Sequence, residues 1–520
     1  MPLTLLSLVN QNPTIFYTLL LTLFSFALFL FKNRVKTTKS KWNLPPSPPK
    51  LPIIGHLHHH GTLPHRYFRD LSLKHGPLLW LNLARIPALL VSSANFAKEI
   101  IKHQDTIFAD RFQSVSSRIL TYGCKDISYA SYGEIWRHKR KISTLGLLSQ
   151  RRIRSFQFVR EEEVSDLVDK IRRACINNNN CCVDVTELVT SASNCIISRC
   201  VIRKKFDEED SICKFGELIR KLIIQLAELS MGDLFPWLGW VDFLTGKIGE
   251  FKDTFRALDA FFEEVLADHK KKMKRDDGNK DFVDILLQLQ EDDMLGFDSD
   301  QDDLKAVLTD MFLGGNDTTS TTTEWTLTEL MKHPSIMKKA QEEVRKVVGN
   351  KSKVEESDIN EMKYVKLVVK ETLRLHPPAP FLAPRETISD TKLGGYDIPR
   401  KTVIFFNTWA IHRDPEVWER AEEFIPERFE KTKIDFKGQD FGYFPFGFGK
   451  RICPGMKFGL TSVEYILANL LYWFEWKLPE GEDCDNIDMS ETYGLTVKKK
   501  VPLCLEPKLY SFQSQTDTSI

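Results

Sequence analysis

The first apolar block, Thr14 to Phe31 (TIFYTLLLTLFSFALFLF), runs 18 residues without a charge. As a helix it spans about 27 Å, enough to cross a hydrocarbon core of roughly 30 Å. Lys32, Arg34, Lys36, Lys39 and Lys41 follow at once, whereas residues 1–13 carry no basic side chain. This asymmetry predicts a single-pass anchor with its downstream side in the cytosol and the short segment 1–13 across the membrane. A cleaved secretory leader would have basic residues before the apolar run and small residues at its end; neither is present. Residues 32–55 read as a basic stop-transfer stretch and a hinge stiffened by prolines at 45, 46, 48, 49 and 52.

Beyond the hinge, alternating and β-branched residues from Leu78 to Ser92 predict a short hairpin. Helical spacing dominates afterwards. Asp303 to Lys332 reads as one long helix, and the run MKFGLTSVEYILANLLYWF after Pro454 as another. Gly394 to Phe406 reads as a hairpin with IPRK at its turn, and Asn177 to Cys182 as a loop. Leu234 to Phe243 (LFPWLGWVDF) is aromatic and apolar between helical stretches; a membrane-interface segment lining substrate access and plain core packing fit it equally. With only one convincing linker, residues 56–507 form one mainly α body with a small β-rich lobe, and 508–520 a polar tail.

Composition narrows the partners. Lys plus Arg number 72 and Asp plus Glu 71, so no global charge points to nucleic acid. The 10 cysteines lie scattered without CxxC pairs, which argues for a reducing compartment. His56, His58, His59, His60 and His65 lack the spacing and second cluster of a structural zinc site and read as a solvated loop.

The candidate chemistry lies in three places. In FPFGFGKRICPG, Phe444 to Gly455, a glycine-bearing loop leads to Cys453, with Pro454 opening the following helix. That predicts Cys453 at a helix N-cap, where the dipole lowers a thiol's pKa and favours the metal-ligating thiolate. Gly314, Gly315, Asp317, Thr318 and Thr319 interrupt the helical pattern of 303–332 with residues that cost helix stability or bond their own backbone. Local rules that fail together in an otherwise strong helix mark function. Glu371 and Arg374 stand three apart on one helix face, and Arg428 lies in the PERF segment downstream.

Phe446-x-x-Gly449-x-Arg451-x-Cys453-x-Gly455 resembles the cysteine loop of the cytochrome P-450 superfamily. Residues 314 to 319 are similar to its oxygen-activation motif, and Glu371, Arg374 and Arg428 to its buried triad. The proline hinge, NTWAIHRDP at 407 to 415 and PFGFGKRICPG are similar to plant microsomal A-type members, psoralen synthase and terpene-hydroxylating relatives among them. The resemblance implies a cytochrome P-450 fold, haem b (iron protoporphyrin IX) as cofactor, and Cys453 as its iron ligand. It implies cofactor contacts from Trp136, Arg140, Arg385, Phe446, Gly447, Arg451 and Gly455, and proton delivery from Asp317 and Thr318. Leu120, Met311, Gly314, Gly315, Ala379, Phe381, Leu382 and Leu495 would line the substrate pocket.

The implied activity is monooxygenation of a small lipophilic plant metabolite (a terpenoid, coumarin or other phenolic) at the endoplasmic reticulum membrane, catalytic domain in the cytosol. Its partner would be NADPH-cytochrome P-450 reductase, docking around Lys139, Arg140, Lys450 and Lys457. A haem-thiolate isomerase or dehydratase that does not use O2, and a haem sensor or carrier, remain alternatives that turnover without NADPH, or no NADPH consumption, would distinguish.

Overall fold

The alternating segment folds as an antiparallel hairpin, β1 (Leu78–Leu83) and β2 (Ile86–Val91), with Leu83 opposite Ile86. Its odd and even side chains enter different apolar clusters: Leu79, Leu81, Ala88 and Leu90 on one face, Leu78, Leu89 and Val91 on the other. A strand covered on both faces reads as a nearly continuous hydrophobic run. β3 (Asp110–Arg111), β4 (Arg385–Glu386) and β5 (Val403–Phe406) complete a five-stranded sheet in the order β1-β2-β5-β4-β3. Only β2 and β5 run parallel. This computed structural model describes residues 42–59, 61–177, 182–205, 211–272 and 280–511, together with Tyr17, Thr18, Leu21, Thr22 and Ser25.

The expected hairpin over Gly394 to Phe406 is corrected. Its turn is Gly394–Gly395, joining Thr391–Leu393 to Tyr396–Ile398, and both glycines have positive φ (56° and 83°). Two successive positive φ values suit the tight turn whose twist matches paired strands, so the turn forms there and not at IPRK. Residues 403–406 are freed to join the larger sheet.

The helices that build the site are α1 (Glu134–Lys141), α2 (Val185–Ile202), α3 (Gln301–Gly315), α4 (Asp317–Lys332), α5 (Lys363–Leu375) and α6 (Met456–Trp473). α4 packs against α2, α5 and α6 and is buried along nearly its whole length. Its threonines tolerate that burial because Thr322, Thr323, Thr326 and Thr328 each donate to the carbonyl four residues back, at 2.7–3.0 Å. A buried hydroxyl without such a partner would carry its full desolvation cost.

The single helix expected over 303–332 is also corrected. It breaks at Asn316, whose backbone (φ −74°, ψ −74°) separates α3 from α4. Two glycines, an asparagine and an aspartate in succession supply the weak point. The anchor expected over 14–31 falls mostly outside the described residues, as do the tail from 512 onward and most of the 177–182 loop. Among the described residues no helix is long and apolar enough to cross a membrane.

Candidate active site

The loop before α6 is built on backbone bonds. Cys453 N–H donates to Phe446 O (2.9 Å), Gly447 N–H to Phe444 O (2.8 Å), and Phe444 N–H to His412 Nε2 (3.0 Å). Gly449 must be glycine: its φ is +60°, and a Cβ there would sit 2.3 Å from Asp105 Oδ2.

The predicted cap is displaced. α6 starts at Met456 with Gly455 as N-cap, so Cys453 and Pro454 lie in the turn before it. The expected lowering of the thiol pKa is corrected as well. Burial pushes the Cys453 thiol up, and the Gly455 and Met456 N–H groups and the Arg140 charge only partly offset that. The residue retains exposed surface although protein surrounds it, because that surface opens into an internal cavity.

This central cavity, of about 320 Å3, has two walls. One is the cysteine loop and the start of α6: Pro445, Phe446, Gly447, Cys453, Gly455 and Phe458. The other is the α3–α4 junction: Met311, Gly314, Gly315, Thr318, Thr319 and Thr322. The two glycines do different work. A Cβ at Gly314 would meet nothing within 4 Å, whereas one at Gly315 would lie 2.7 Å from Ile197 of α2. Gly314 therefore keeps the cavity open, and Gly315 lets two helices touch. Thr318 Oγ1 donates to Gly314 O at 2.7 Å. Asp317, one residue earlier, is not among the lining residues: its Oδ2 pairs with Lys498 Nζ at 2.7 Å.

The edge of the cavity is cationic. Arg111, Arg140, Arg385 and Arg451 line it against a single carboxylate, Asp310. Burial lowers the pKa of all four, and mutual repulsion adds to this: Arg451 and Arg385 act on Arg111, and Arg385 helps bring Arg451 down to about 9. Arg385 pairs with Asp105 (2.9 Å) and donates to Phe448 O (2.7 Å). Arg451 stacks 4.2 Å from the Trp136 ring and donates to Ala109, Ile127 and Ala130 carbonyls at 2.6–3.0 Å. Trp136 Nε1 also donates to Ile127 O, at 2.9 Å. Four guanidiniums, three of them buried and Arg140 half-buried, with one carboxylate among the lining residues and beside a slot kept open by Gly314, fit a flat ligand bearing two carboxylates, as haem b does.

Glu371, Arg374 and Arg428 form the other charged cluster. Arg374 Nε and Nη2 donate to Glu371 (both 2.8 Å) and Arg428 Nε to Glu371 Oε1 (2.9 Å). Arg374 also reaches His412, Ala421 and Glu423 carbonyls at 2.6–2.9 Å. His412 therefore ties this cluster to the cysteine loop. Burial, with Arg374 and Arg413 nearby, brings its pKa down to about 3, so the ring stays neutral and its Nε2 accepts from Phe444.

A second cavity, of about 340 Å3, adjoins the first and shares Arg111, Ala379, Leu382 and Ala383 with it. Its walls include Phe68, Phe112, Phe381, Phe405, Tyr493 and Leu495. Of the expected substrate-pocket residues, Met311, Gly314 and Gly315 face the first cavity, Phe381 and Leu495 the second, and Ala379 and Leu382 both. Leu120 lines neither. It is fully buried in the helical core, where Val115–Leu120 packs against Ser211–Leu226 and Lys247–Lys272.

Two surface expectations change. Lys139 is buried with its ammonium on Asp303 (2.5 Å), and Arg140 turns into the cavity, so neither offers an outward charge. Arg137, Lys141, Lys450 and Lys457 remain exposed on that side. In the 234–243 segment, Trp237, Trp240 and Phe243 are 54–74 % exposed, which removes the core-packing alternative for them. His56 is structural: its Nδ1 accepts from Asn82 N–H (2.8 Å) and its Nε2 meets Pro48 O (3.0 Å).

Sequence reasoning missed Arg111 as part of the cationic rim, His412 as a brace and Asp310 altogether. Only their neighbours in space reveal them.

The sequence profile described as Cytochrome P450 matches residues 45–505. A phenylacetaldehyde oxime monooxygenase of Prunus mume is 49% identical over 508 residues, 96% of either chain. Strychnine-11-hydroxylase of Strychnos nux-vomica is 41% identical, covering 92% of this chain and 94% of its own. A zebrafish cytochrome P450 solved with progesterone superposes with a TM-score of 0.72 at 25% identity, covering 86% of this chain and 99% of its own. Members of the family bind haem b through a cysteine thiolate. This chain belongs to the cytochrome P450 family, as a plant A-type monooxygenase.

Proposed function

We propose that this protein is an endoplasmic-reticulum-anchored haem-thiolate monooxygenase that oxidises a small lipophilic specialised metabolite, a terpenoid, coumarin or other phenolic. The observation that carries the reading is one cavity bounded by Cys453, Gly314 and Thr318, with four arginines and one carboxylate around it. Cys453 is the iron ligand in this reading. Arg111, Arg140, Arg385, Arg451 and Trp136 hold the two propionates, and Phe446, Gly447 and Gly455 border the ring. Bound haem supplies O2 activation, placing one oxygen atom in the substrate while the other leaves as water.

The chain's own groups do the rest. Thr318, whose hydroxyl proton is held on Gly314 O, presents its oxygen to the cavity as an acceptor and becomes a proton donor when that bond is released. Asp317 recharges it after turning from Lys498, which is 40% exposed and so connects the acid to solvent. Glu371, Arg374 and Arg428 keep the cysteine loop in register. The apolar second cavity receives the substrate's non-reacting part. NADPH electrons arrive from a membrane-bound reductase docked against Arg137, Lys141, Lys450 and Lys457, whose exposed charges suit an acidic partner. The 14–31 anchor and the exposed Trp237, Trp240 and Phe243 hold the body at the membrane.

The deciding experiment is carbon monoxide difference spectroscopy on the dithionite-reduced full chain. A thiolate-type red-shifted Soret band that Cys453→Ala abolishes supports the reading; its absence from the parent protein overturns it.

A further inference from the structure

Arg111, Ala379, Leu382 and Ala383 line both cavities, and beside that junction a loop, residues 126–130, borders each of them: Ile127 and Ser128 face the central cavity while Tyr129 faces the second. Its two edges are held differently. The carbonyls of Ile127, Ser128 and Ala130 accept from Trp136, Arg111 and Arg451 at 2.6–3.0 Å, so that edge is fixed by the cationic rim. The donor edge is held by two carboxylates: Asp126, within the loop, accepts from Tyr129 N–H at 3.0 Å, and Asp310 ties the loop to α3. Ile127 N–H donates to Asp310 Oδ2 and Ser128 Oγ to Asp310 Oδ1, both at 2.5 Å. Asp310 is buried, and no other position on α3 or α4 bonds this loop among the described residues.

The loop is bounded by backbone that its surroundings must hold. Tyr122, Gly123 and Cys124, just before it, have successive positive φ values of 53°, 72° and 61°. Such a run is held by its surroundings and not by its own preference. Gly133 ends the segment, with nothing within 4 Å of where a Cβ would lie.

We infer that Asp310 is a positioning residue that latches loop 126–130 against α3 beside the junction of the two cavities, where Arg111 lines both and donates to Ser128 O, and thereby sets how fast an apolar ligand passes from the second cavity to the central one. The residue type follows from the donor count. Three donors converge on it, the N–H groups of Ile127 and Ser128 and the Ser128 hydroxyl, so two acceptor oxygens are required, and an amide of the same size would turn its NH2 toward one of them. The inference rests on the haem-pocket reading for the identity of the central cavity, and the latch itself does not.

The test compares the parent full chain with Asp310→Asn and Ser128→Ala, using 4-phenylimidazole as the probe. Its ring nitrogen reports arrival at, and departure from, haem iron through a Soret shift. With the carbon monoxide band retained, Asp310→Asn is expected to release the azole about tenfold faster. Deuterium uptake by peptides spanning 122–133 should rise as well. Ser128→Ala, which loses the hydroxyl clasp and keeps the two backbone ones, should show a smaller change in the same direction.

Unchanged release and unchanged exchange in Asp310→Asn overturn the latch. Should Asp310→Asn fail to fold, Ser128→Ala decides alone, and parent-like release and exchange in it overturn the latch. If the parent lacks the carbon monoxide band, the haem reading fails instead, and deuterium uptake in 122–133 still decides for or against the latch.

Discussion

Two buried charged clusters flank the cysteine loop, and they are built on opposite rules. In the first, Glu371 meets Arg374 and Arg428, and the spare donors of both arginines end on backbone carbonyls. In the second, four arginines gather with one carboxylate between them and repel one another. Desolvating a charge is costly in both places; the first cluster sets a carboxylate against both of its arginines, whereas in the second only Arg385 has one, Asp105, and the other three end on backbone carbonyls. Matched buried charge marks scaffold, and unmatched buried charge marks where something else binds.

The largest effect should come from breaking the matched cluster. Glu371→Ala leaves Arg374 fully buried without its counter-ion, and Ile425 N–H loses its acceptor as well. Removing one member of such a set typically costs 3–5 kcal/mol, a large share of a domain's net stability. The expected outcome is little folded protein and a melting transition far below the parent's, with or without cofactor. A variant that melts like the parent would show that the cluster is not what braces the loop.

That contrast also explains what was legible in the sequence. The scaffold cluster could be read because ExxR puts Glu371 and Arg374 on one face of α5 and PERF adds Arg428 in a fixed order. Gly314 was legible because it breaks a helix rule within its own segment, and Cys453 because a glycine-bearing loop and a helix-opening proline flank it. Arg111 was not, because it lies on a two-residue strand whose partner, β4, is more than 270 residues away. Asp310 sits in an unremarkable apolar helical turn, and only the distant 126–130 loop gives its carboxylate a task. The break at Asn316 and the true start of α6 are end effects, set by which few residues tip a helix into a turn.

A second, smaller test uses an unmatched acid outside the site. Glu324 of α4 is 3% exposed and, among the described residues, its carboxylate accepts only from Thr186 Oγ1 (2.6 Å); burial pushes its pKa up to about 7, with that bond, Lys499 and Lys498 opposing. A carboxyl raised in the folded state favours folding fully below its unfolded value. That contribution is lost as pH rises from about 4.5 toward about 7, up to roughly 3 kcal/mol. Glu324→Gln should therefore raise the melting temperature at pH 8 and change it little at pH 5. Equal shifts at both values would mean that Glu324 is matched after all.

The smallest stability change, and the sharpest test of the comparison, is expected at Arg451. Arg451→Met deletes a guanidinium whose pKa is already forced down to about 9, relieving repulsion with Arg385 and Arg140. It also removes donors from the Ala109, Ile127 and Ala130 carbonyls, each worth about 1 kcal/mol. These opposing terms should leave the cofactor-free protein within about 1 kcal/mol of the parent, unlike Glu371→Ala. With haem bound the balance shifts, because the lost cation now has carboxylates to meet. Haem transfer to apomyoglobin should accelerate about tenfold, equivalent to about 1.4 kcal/mol. If the variant instead melts as low as Glu371→Ala while releasing haem at the parent rate, Arg451 belongs to the scaffold, and unmatched charge is no guide to the site.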